Sequence, residues 1–335
     1  MGREVTRITR RDCLLALPLA SAACARRPPS ILKLLAMPYF NMAPLYLANE
    51  SGYFADEGLR LEIQGVDRSQ VAIPLLAAGQ ADVAFFGINP SMINAVLRGA
   101  RIRLVAGRQV FSAQCPDERR LYGSRKAFPD GFTDFRQIKG KKASLGRKSV
   151  GIGGFLWTQC LAAAGLTATD VPLTDVNDME LSAAMLATGQ IDVLLPTQEY
   201  DIGLTPLRDR IVPGPAISSI LPGFMFSHIF FGKRLLDDSR DLGVRLLRAY
   251  FRGAREFVAG RSPRFVGQLI QDQHLDPKQV QLRQLCRAGY VLDGHIQMED
   301  LQKFIDWSVD QKLTPVPVQA GQLVDPGFAG GIRGV

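Results

Sequence analysis

The chain is expected to fold as an α/β protein of two Rossmann-like lobes with a helical C-terminal segment, arranged as a clamshell. Three observations carry this expectation. The 335 residues are 47% hydrophobic, 21% charged and 8% aromatic, a balance that suits a folded chain of about two domains. The pattern A-x-G-Q-x-D-V occurs twice, at Ala77 to Val83 and at Ala187 to Val193. Each copy follows an apolar helical stretch and opens a short apolar run that reads as a buried strand. Strand-like and helix-like segments also alternate along most of the chain, which implies mainly parallel sheets with helices on both faces.

The elements follow from local pattern. Ile31 to Ala36 reads as a strand, and Ala43 to Ser51 as a helix closed by Gly52. Leu59 to Val66 is a strand, Ser69 to Ala78 a helix and Val83 to Phe86 a strand. Pro90 to Arg98 is a helix, with Asn89 as its cap and proline in its first position, the arrangement that spares an orphan N–H. Arg103 to Ala106 is a strand. The second copy runs Lys142 to Leu145 (strand), Val150 to Ala164 (helix), Val171 to Asp175 (strand), Met179 to Ala187 (helix) and Val193 to Leu195 (strand). In both copies the glycine stands where a helix needs a left-handed last residue. A further strand is expected at His228 to Gly232, then helices at Asp241 to Val258, Arg264 to Asp272, Asp276 to Leu285 and Met298 to Gln311. Thr314 to Val335 reads as loop with short turns.

Charge and motifs exclude several classes. The net charge is +8, which favours anionic partners weakly. The basic residues are scattered, with pairs at Arg10-Arg11, Arg26-Arg27, Arg119-Arg120 and Lys141-Lys142, and no block interleaves them with aromatics. That is not a nucleic-acid footprint. No run of 18 apolar residues is present, so no conventional membrane-spanning helix is expected. The five cysteines (Cys13, Cys24, Cys115, Cys160, Cys286) and three histidines have no metal-ligand spacing. No disulfide framework is evident, and Cys160 and Cys286 read as buried thiols. The chain has no G-x-S-x-G elbow, Walker loop, HExxH or dinucleotide fingerprint. Neither cofactor nor catalysis is expected.

The first thirty residues read as an export signal. Four arginines precede an apolar stretch, Leu14 to Ala23, about half as long as a bilayer requires. Thr9-Arg10-Arg11-Asp12-Cys13-Leu14-Leu15 looks like a twin-arginine motif, with Cys13 in place of the usual aromatic. Ala20-Ser21-Ala22-Ala23-Cys24 resembles a lipobox with Cys24 as the lipidated residue. The alternative is ordinary cleavage after Ala22 or Ala25.

A family resemblance rests on several segments in order. Ala43-Pro44-Leu45-Tyr46-Leu47-Ala48 followed by Gly52-Tyr53-Phe54-Ala55-Asp56-Glu57-Gly58-Leu59 resembles the opening of the nitrate/sulfonate/taurine-type substrate-binding proteins of ABC importers. Ala78 to Ala84 with Gly87, Ile138 to Lys142, Ala164-Gly165-Leu166, and the tail through Trp307 to Pro326 resemble the same family. The resemblance covers about residues 31–330 and implies a type II periplasmic-binding-protein clamshell with ligand between the lobes. The lobes are expected at 31–112 with 225–335, and at 113–224. Where the family often has Glu-Pro after the second repeat, this chain has Pro196-Thr197-Gln198-Glu199-Tyr200, which leaves the pocket there its own.

Ligands of open α/β sheets bind beyond the carboxyl ends of the strands, where helix N-termini offer free N–H groups. Candidate ligand-binding residues are Tyr39, Phe40 and Asn41 after the first strand, and Gly87, Asn89 and Ser91 after the third. The second lobe offers Lys148, Ser149 and Val150, then Asn177, then Gln198 and Glu199. Ser149 with Gly151, Gly153 and Gly154 suits close approach of a sulfonate, carboxylate or phosphate-like group, or only close helix–sheet packing. Tyr39 and Phe40 either stack on a flat ring or belong to the core. The asparagines either direct hydrogen bonds to ligand or cap helices. Arg147 and Lys148 are equally plain solvated charges.

These readings converge on an extracytoplasmic solute binder that closes by hinge motion at strands around Val105–Val110 and Met225–Phe231, and that delivers a small organic anion to a membrane permease and its ATPase. A pyrimidine-type heteroaromatic solute is the alternative, as is a ligand-sensing lipoprotein. The resemblance also extends to a thiamine-pyrimidine synthase of the same fold, whose cysteine-rich motif this chain lacks.

Overall fold

The computed structural model describes residues 28–66, 69–115, 119–145, 151–176, 178–196, 204–272 and 287–332. The export-signal reading, Cys24 and the expected helix at Asp276 to Leu285 therefore lie outside the described residues.

The first half begins with strand β1 (Ser30–Ala36), helix α1 (Ala43–Glu50) and a single turn α2 (Tyr53–Asp56), then β2 (Leu59–Gly65), α3 (Ser69–Ala77), β3 (Val83–Phe86) and α4 (Pro90–Leu97). Strand β4 (Arg103–Val110) forms the far edge of this sheet, and β5 (Arg120–Ser124) belongs to the second. The second half continues with β6 (Ala143–Ser144), α5 (Ile152–Ala164), α6 (Met179–Thr188), β7 (Val193–Leu194) and β8 (Ile211–Ala216). Strand β9 (Met225–Phe231) returns to the first sheet, and three helices follow: α7 (Arg240–Val258), α8 (Arg264–Asp272) and α9 (Met298–Asp310).

The first sheet has the order β2-β1-β3-β9-β4 and the second β6-β7-β5-β8. In the first, β2, β1 and β3 run parallel, and β9 is antiparallel to both β3 and β4. In the second, only β6 and β7 are parallel, while β5 is antiparallel to β7 and β8. The expectation of mainly parallel sheets thus fails for the second sheet, because β5 and β8 escape a reading based on strand–helix alternation. The expected strand at Val171 to Asp175 is reduced to one bridge, Ala143 to Leu173.

The repeated motif builds the same joint twice. Gly79 and Gly189 end α3 and α6 with φ of 69° and 72°. Their N–H groups donate to Leu76 O and Leu186 O, both at 3.1 Å. Asp82 Oδ2 then accepts from Lys33 N at 2.8 Å, and Asp192 Oδ2 accepts from Lys142 N at 2.9 Å. Each aspartate also donates its own N–H back to that lysine's carbonyl. The carboxylate therefore fixes the start of one strand beside the next, and explains why the motif ends in Asp-Val.

One apolar cluster runs from Leu35 and Phe86 of the first sheet through Phe111, Phe224 and Phe226 to Phe155 and Trp157 of α5 and Phe304 and Trp307 of α9. A second packs α1, α7 and α8 on the other face of the first sheet. A third, smaller one lies between α6 and the second sheet. Cys160 is a buried free thiol, as expected. Cys115 is disulfide-bonded to a partner outside the described residues, which corrects the reading that no disulfide is present. No helix among the described residues is long and apolar enough to cross a membrane.

Candidate functional site

The ends of β1 and β3 are neighbours, with Ala36 opposite Phe85. The turns that follow them therefore leave the sheet at the same end, the first carrying Tyr39, Phe40 and Asn41 and the second Gly87, Asn89 and Ser91. After β1 the chain makes a tight turn, with Tyr39 N donating to Met37 O at 2.8 Å and Met42 N to Tyr39 O at 2.9 Å. Tyr39 and Asn41 are half-buried. Phe40 is 7% exposed and packs in the cluster with Met42 and Tyr53, so of its two expected roles it takes the core one. Asn41 O accepts from Arg108 Nη2 at 2.6 Å and from Tyr290 OH at 3.3 Å. Its side-chain Oδ1 is buried and has no hydrogen-bond partner.

After β3, Asn89 is 3% exposed. Its Oδ1 accepts from Met92 N at 3.1 Å, so this oxygen caps α4 as its position before Pro90 suggests. Gly87 passes close to the return strand: a Cβ there would lie 2.7 Å from Phe226 O. Ser91 is half-buried at the start of α4.

Strands β9 and β4 are the last two of the first sheet, paired antiparallel with register shifts between Leu104 and Ala106, Gly107 and Gln109, and Gln109 and Val110. Such bulges twist and re-aim a strand. The pairing continues past the strands, with Phe111 N donating to Phe224 O at 3.0 Å and Gly223 N to Phe111 O at 2.8 Å. This pair carries four buried polar residues, of which Arg108 and Gln109 were not singled out from the sequence, whereas His228 is packed as the sequence led us to expect. Arg108 is 0% exposed, Gln109 1%, Ser227 3% and His228 1%. Arg108 Nε donates to Tyr250 OH at 3.1 Å, and its guanidinium lies 4.9 Å from the centre of the Phe85 ring. Arg108 Nη1, Gln109 Oε1 and His228 Nδ1 have no hydrogen-bond partner. Burial, with a smaller push from the Arg108 charge, drives the His228 pKa down to about 3, so this imidazole is neutral. The available signal was the arginine itself, a charge inside the apolar run from Leu104 to Phe111.

On the second-sheet side, Arg119 is 8% exposed just before β5. Its Nη2 lies 4.0 Å from where a Cβ on Gly153 would stand, in the first turn of α5. The glycine-rich start of α5 thus meets a buried guanidinium. Burial pushes the Cys160 thiol well above its ordinary value, against a smaller opposing pull from Arg119. Lys148, Ser149, Val150, Asn177, Gln198 and Glu199 lie outside the described residues. Among the described residues no cluster of His, Cys, Asp or Glu is placed to hold a metal ion.

Comparison with known proteins fits this architecture. No curated protein matches the chain in sequence. A ligand-binding component of an ABC-type import system from Staphylococcus aureus, solved with zinc bound, superposes with a TM-score of 0.68 at 13% identity, over 91% of this chain and 99% of that one. The alkanesulfonate-binding protein SsuA from Xanthomonas axonopodis pv. citri, bound to MOPS, gives 0.65 at 16% identity over 90% and 99%. The desulfurization enzyme DszB, as a variant in complex with biphenyl-2-sulfinic acid, gives 0.66 at 14% identity over 90% and 98%. The fold is that of the periplasmic binding proteins, as the sequence led us to expect. Residues 39–260, which include both copies of the repeat and strands β4 and β9, match the family described as NMT1/THI5 like, and the chain belongs to that family.

Proposed function

We propose that the protein is the extracytoplasmic solute-binding component of an ABC importer. It takes a small organic anion, sulfonate-like in its headgroup, between two lobes and hands it to a membrane permease coupled to an ATPase. The lobes are residues 31–112 with 225–335, and residues 113–224, and the β4/β9 pair is the hinge. Residues 1–30 direct export, by the twin-arginine route, and Cys24 carries the lipid that holds the protein at the membrane. The disulfide at Cys115 suits an oxidising compartment.

The observation that carries the anion reading is Arg108, fully buried at the carboxyl edge of the first sheet with one nitrogen unbonded. Arg119 beside the start of α5 supports it from the other lobe. Binding residues beyond the described ones are Lys148, Ser149, Val150, Asn177, Gln198 and Glu199, with Tyr39, Asn41, Gly87, Asn89 and Ser91 on the first lobe. The heteroaromatic reading loses a stacking partner, since Phe40 is committed to the core, and rests on Tyr39. An enzyme on this fold, as DszB is, needs reactive groups. The Cys160 thiol is buried and protonated and the His228 imidazole is buried and neutral, which suits neither a nucleophile nor a general base at neutral pH.

Thermal unfolding against ethanesulfonate, MOPS, nitrate, butyrate and aminopyrimidines tests the proposal. A ligand specific to the folded state stabilises by about 2.7 kcal/mol at a hundredfold excess over its Kd. A dose-dependent shift with sulfonates or carboxylates is expected. A shift with the pyrimidines alone would replace the anion by the ring. No shift with any of them would overturn the solute-binding reading.

A further inference from the structure

Arg108 is the largest of the fully buried side chains. A guanidinium keeps its charge at any physiological pH, and taking one out of water is costly unless an anion meets it. Among the described residues none does so: its partners are the neutral Tyr250 OH and Asn41 O and the face of the Phe85 ring, and Nη1 has no hydrogen-bond partner. The position is not a random one. Phe86, His228 and Gly107 lie in register across three strands, and the next pair is Gln109 with Ser227, so Arg108 is the extra residue of a bulge at the end of the sheet where β3 stops. Its Nη2 touches the turn that carries Tyr39 and Asn41. In that turn Asn41 Oδ1 is itself buried and unpartnered; turned over, the same amide presents two donors.

We infer that Arg108 and the Asn41 side chain form the first-lobe half of an anion subsite, and that this guanidinium selects an anionic headgroup over a neutral isostere. The inference rests on the solute-binding reading above and adds the residue that sets its specificity. Nη1 is closed off from solvent, and the acceptor on Nη2 is a neutral carbonyl. Entry of a sulfonate or carboxylate exchanges the Asn41 carbonyl for an anionic oxygen, and brings Nη1 into use as the second arm of a bidentate pair. The Tyr39–Asn41 turn moves aside in that exchange, which couples ligand capture to the wall of the cleft.

The test is calorimetric titration of the full chain with ethanesulfonate, MOPS and butyrate, and with ethyl methyl sulfone as the neutral isostere. The wild type is expected to bind an anion and to ignore the sulfone. Arg108→Gln should weaken the anion at least tenfold, and Arg108→Lys should recover part of that loss. Asn41→Asp supplies an internal carboxylate beside the guanidinium, so it should raise the Tm while abolishing anion binding. A structural role alone does not predict that opposite pair of effects. Where Arg108→Gln fails to fold, Asn41→Asp decides: folded protein that still binds the anion as the wild type does would overturn the inference. Equal affinity in wild type and Arg108→Gln would overturn it while leaving the solute reading intact. A wild type that binds none of the three anions would remove the anion reading and this inference together.

Discussion

Replacing His228 by leucine should remove most of the acid sensitivity of this fold between pH 7 and pH 5. The imidazole is buried in β9 opposite Phe86 and Gly107, and its Nδ1 is unbonded. Its pKa falls from 6.5 to about 3, first through burial and then through Arg108. Between those values the unfolded chain binds the proton and the folded chain does not. Stability is therefore complete above pH 6.5 and falls as the pH drops, by about 1.4 kcal/mol per unit. At pH 5 the loss is about 2 kcal/mol, a sizeable part of the roughly 5–15 kcal/mol typical of a domain. Asp237, Asp325 and Glu256 are also held below their ordinary values, chiefly by hydrogen bonds from Arg101, Arg240 and Tyr53. Their effect has the same sign, but it opens only as the pH approaches the ordinary carboxylate range. The interval from pH 7 to pH 5 thus isolates the histidine. Urea unfolding of wild type and His228→Leu at pH 7, 6 and 5 reads the difference directly. Leucine removes both the titration and the unbonded nitrogen, and keeps a buried apolar side chain. If the two proteins lose stability in parallel across this interval, His228 is protonated in the native state and the burial argument is wrong.

Three further outcomes follow from the packing. Asp82→Ala should cost about 2 kcal/mol and Asp192→Ala about 1 kcal/mol, since each leaves a strand N–H without its acceptor and Asp82 is the more buried; unchanged amide exchange at Lys33 and Lys142 would sink this. Gly253→Ala should destabilise α7 against α1 by about 1–2 kcal/mol despite the better helix propensity, because the new Cβ would stand 2.7 Å from Pro44 O and Ala48 Cβ. A melting temperature at or above the wild-type value would contradict it. Trp307→Phe and Thr158→Val should each cost about 1 kcal/mol by removing the 3.0 Å bond from Trp307 Nε1 to Thr158 Oγ1. The double variant should then cost little more than either alone, and simple additivity would argue that the bond is not formed.

What the sequence disclosed depended on whether the signal was local. β1, β3, α4 and α8 were readable because their apolar periods and caps lie within a few residues. The repeat disclosed the two joints at Asp82 and Asp192 because the same carboxylate work needs the same residues. β8 was hidden by Pro213 and Pro215, which are tolerated there because β8 is an edge strand. The site was legible only in part. Loop positions after β1 and β3 were chosen by a general rule about where open sheets bind ligands. Whether a residue such as Phe40 faces the cleft or the core is decided by neighbours distant in sequence. Arg108 was missed for a plainer reason: a single charge in a strand has no local pattern that tells a buried guanidinium from a solvated one. The disulfide was missed because setting aside Cys13 and Cys24 leaves an odd number, and only proximity pairs cysteines.

The aromatic chain that joins the two sheets bears on how the proposed closure can occur. Phe111 stacks on Phe226 at 4.5 Å, Phe224 on Phe155 at 5.1 Å, and Phe155 meets Phe304 and Trp307 at 5.6 and 5.8 Å. The β4/β9 pair alone would leave the second lobe free to swing on two strands. Instead α9, which follows the first-sheet strands in sequence, is docked on α5 of the second half. It is tied to α4 as well, by Asn94 Nδ2 donating to Leu313 O at 2.8 Å just past its end. Apolar ring faces can slide over one another at small cost, because dispersion is spread over many weak contacts. The Trp307–Thr158 hydrogen bond cannot slide; it is kept or broken. Closure therefore either carries α9 with the second lobe and works against the Asn94 contact, or it breaks the Thr158 contact and leaves α9 behind. Removing the indole donor favours the second course, so a Trp307→Phe protein that closes on ligand as tightly as the wild type would point to α9 staying with the first lobe.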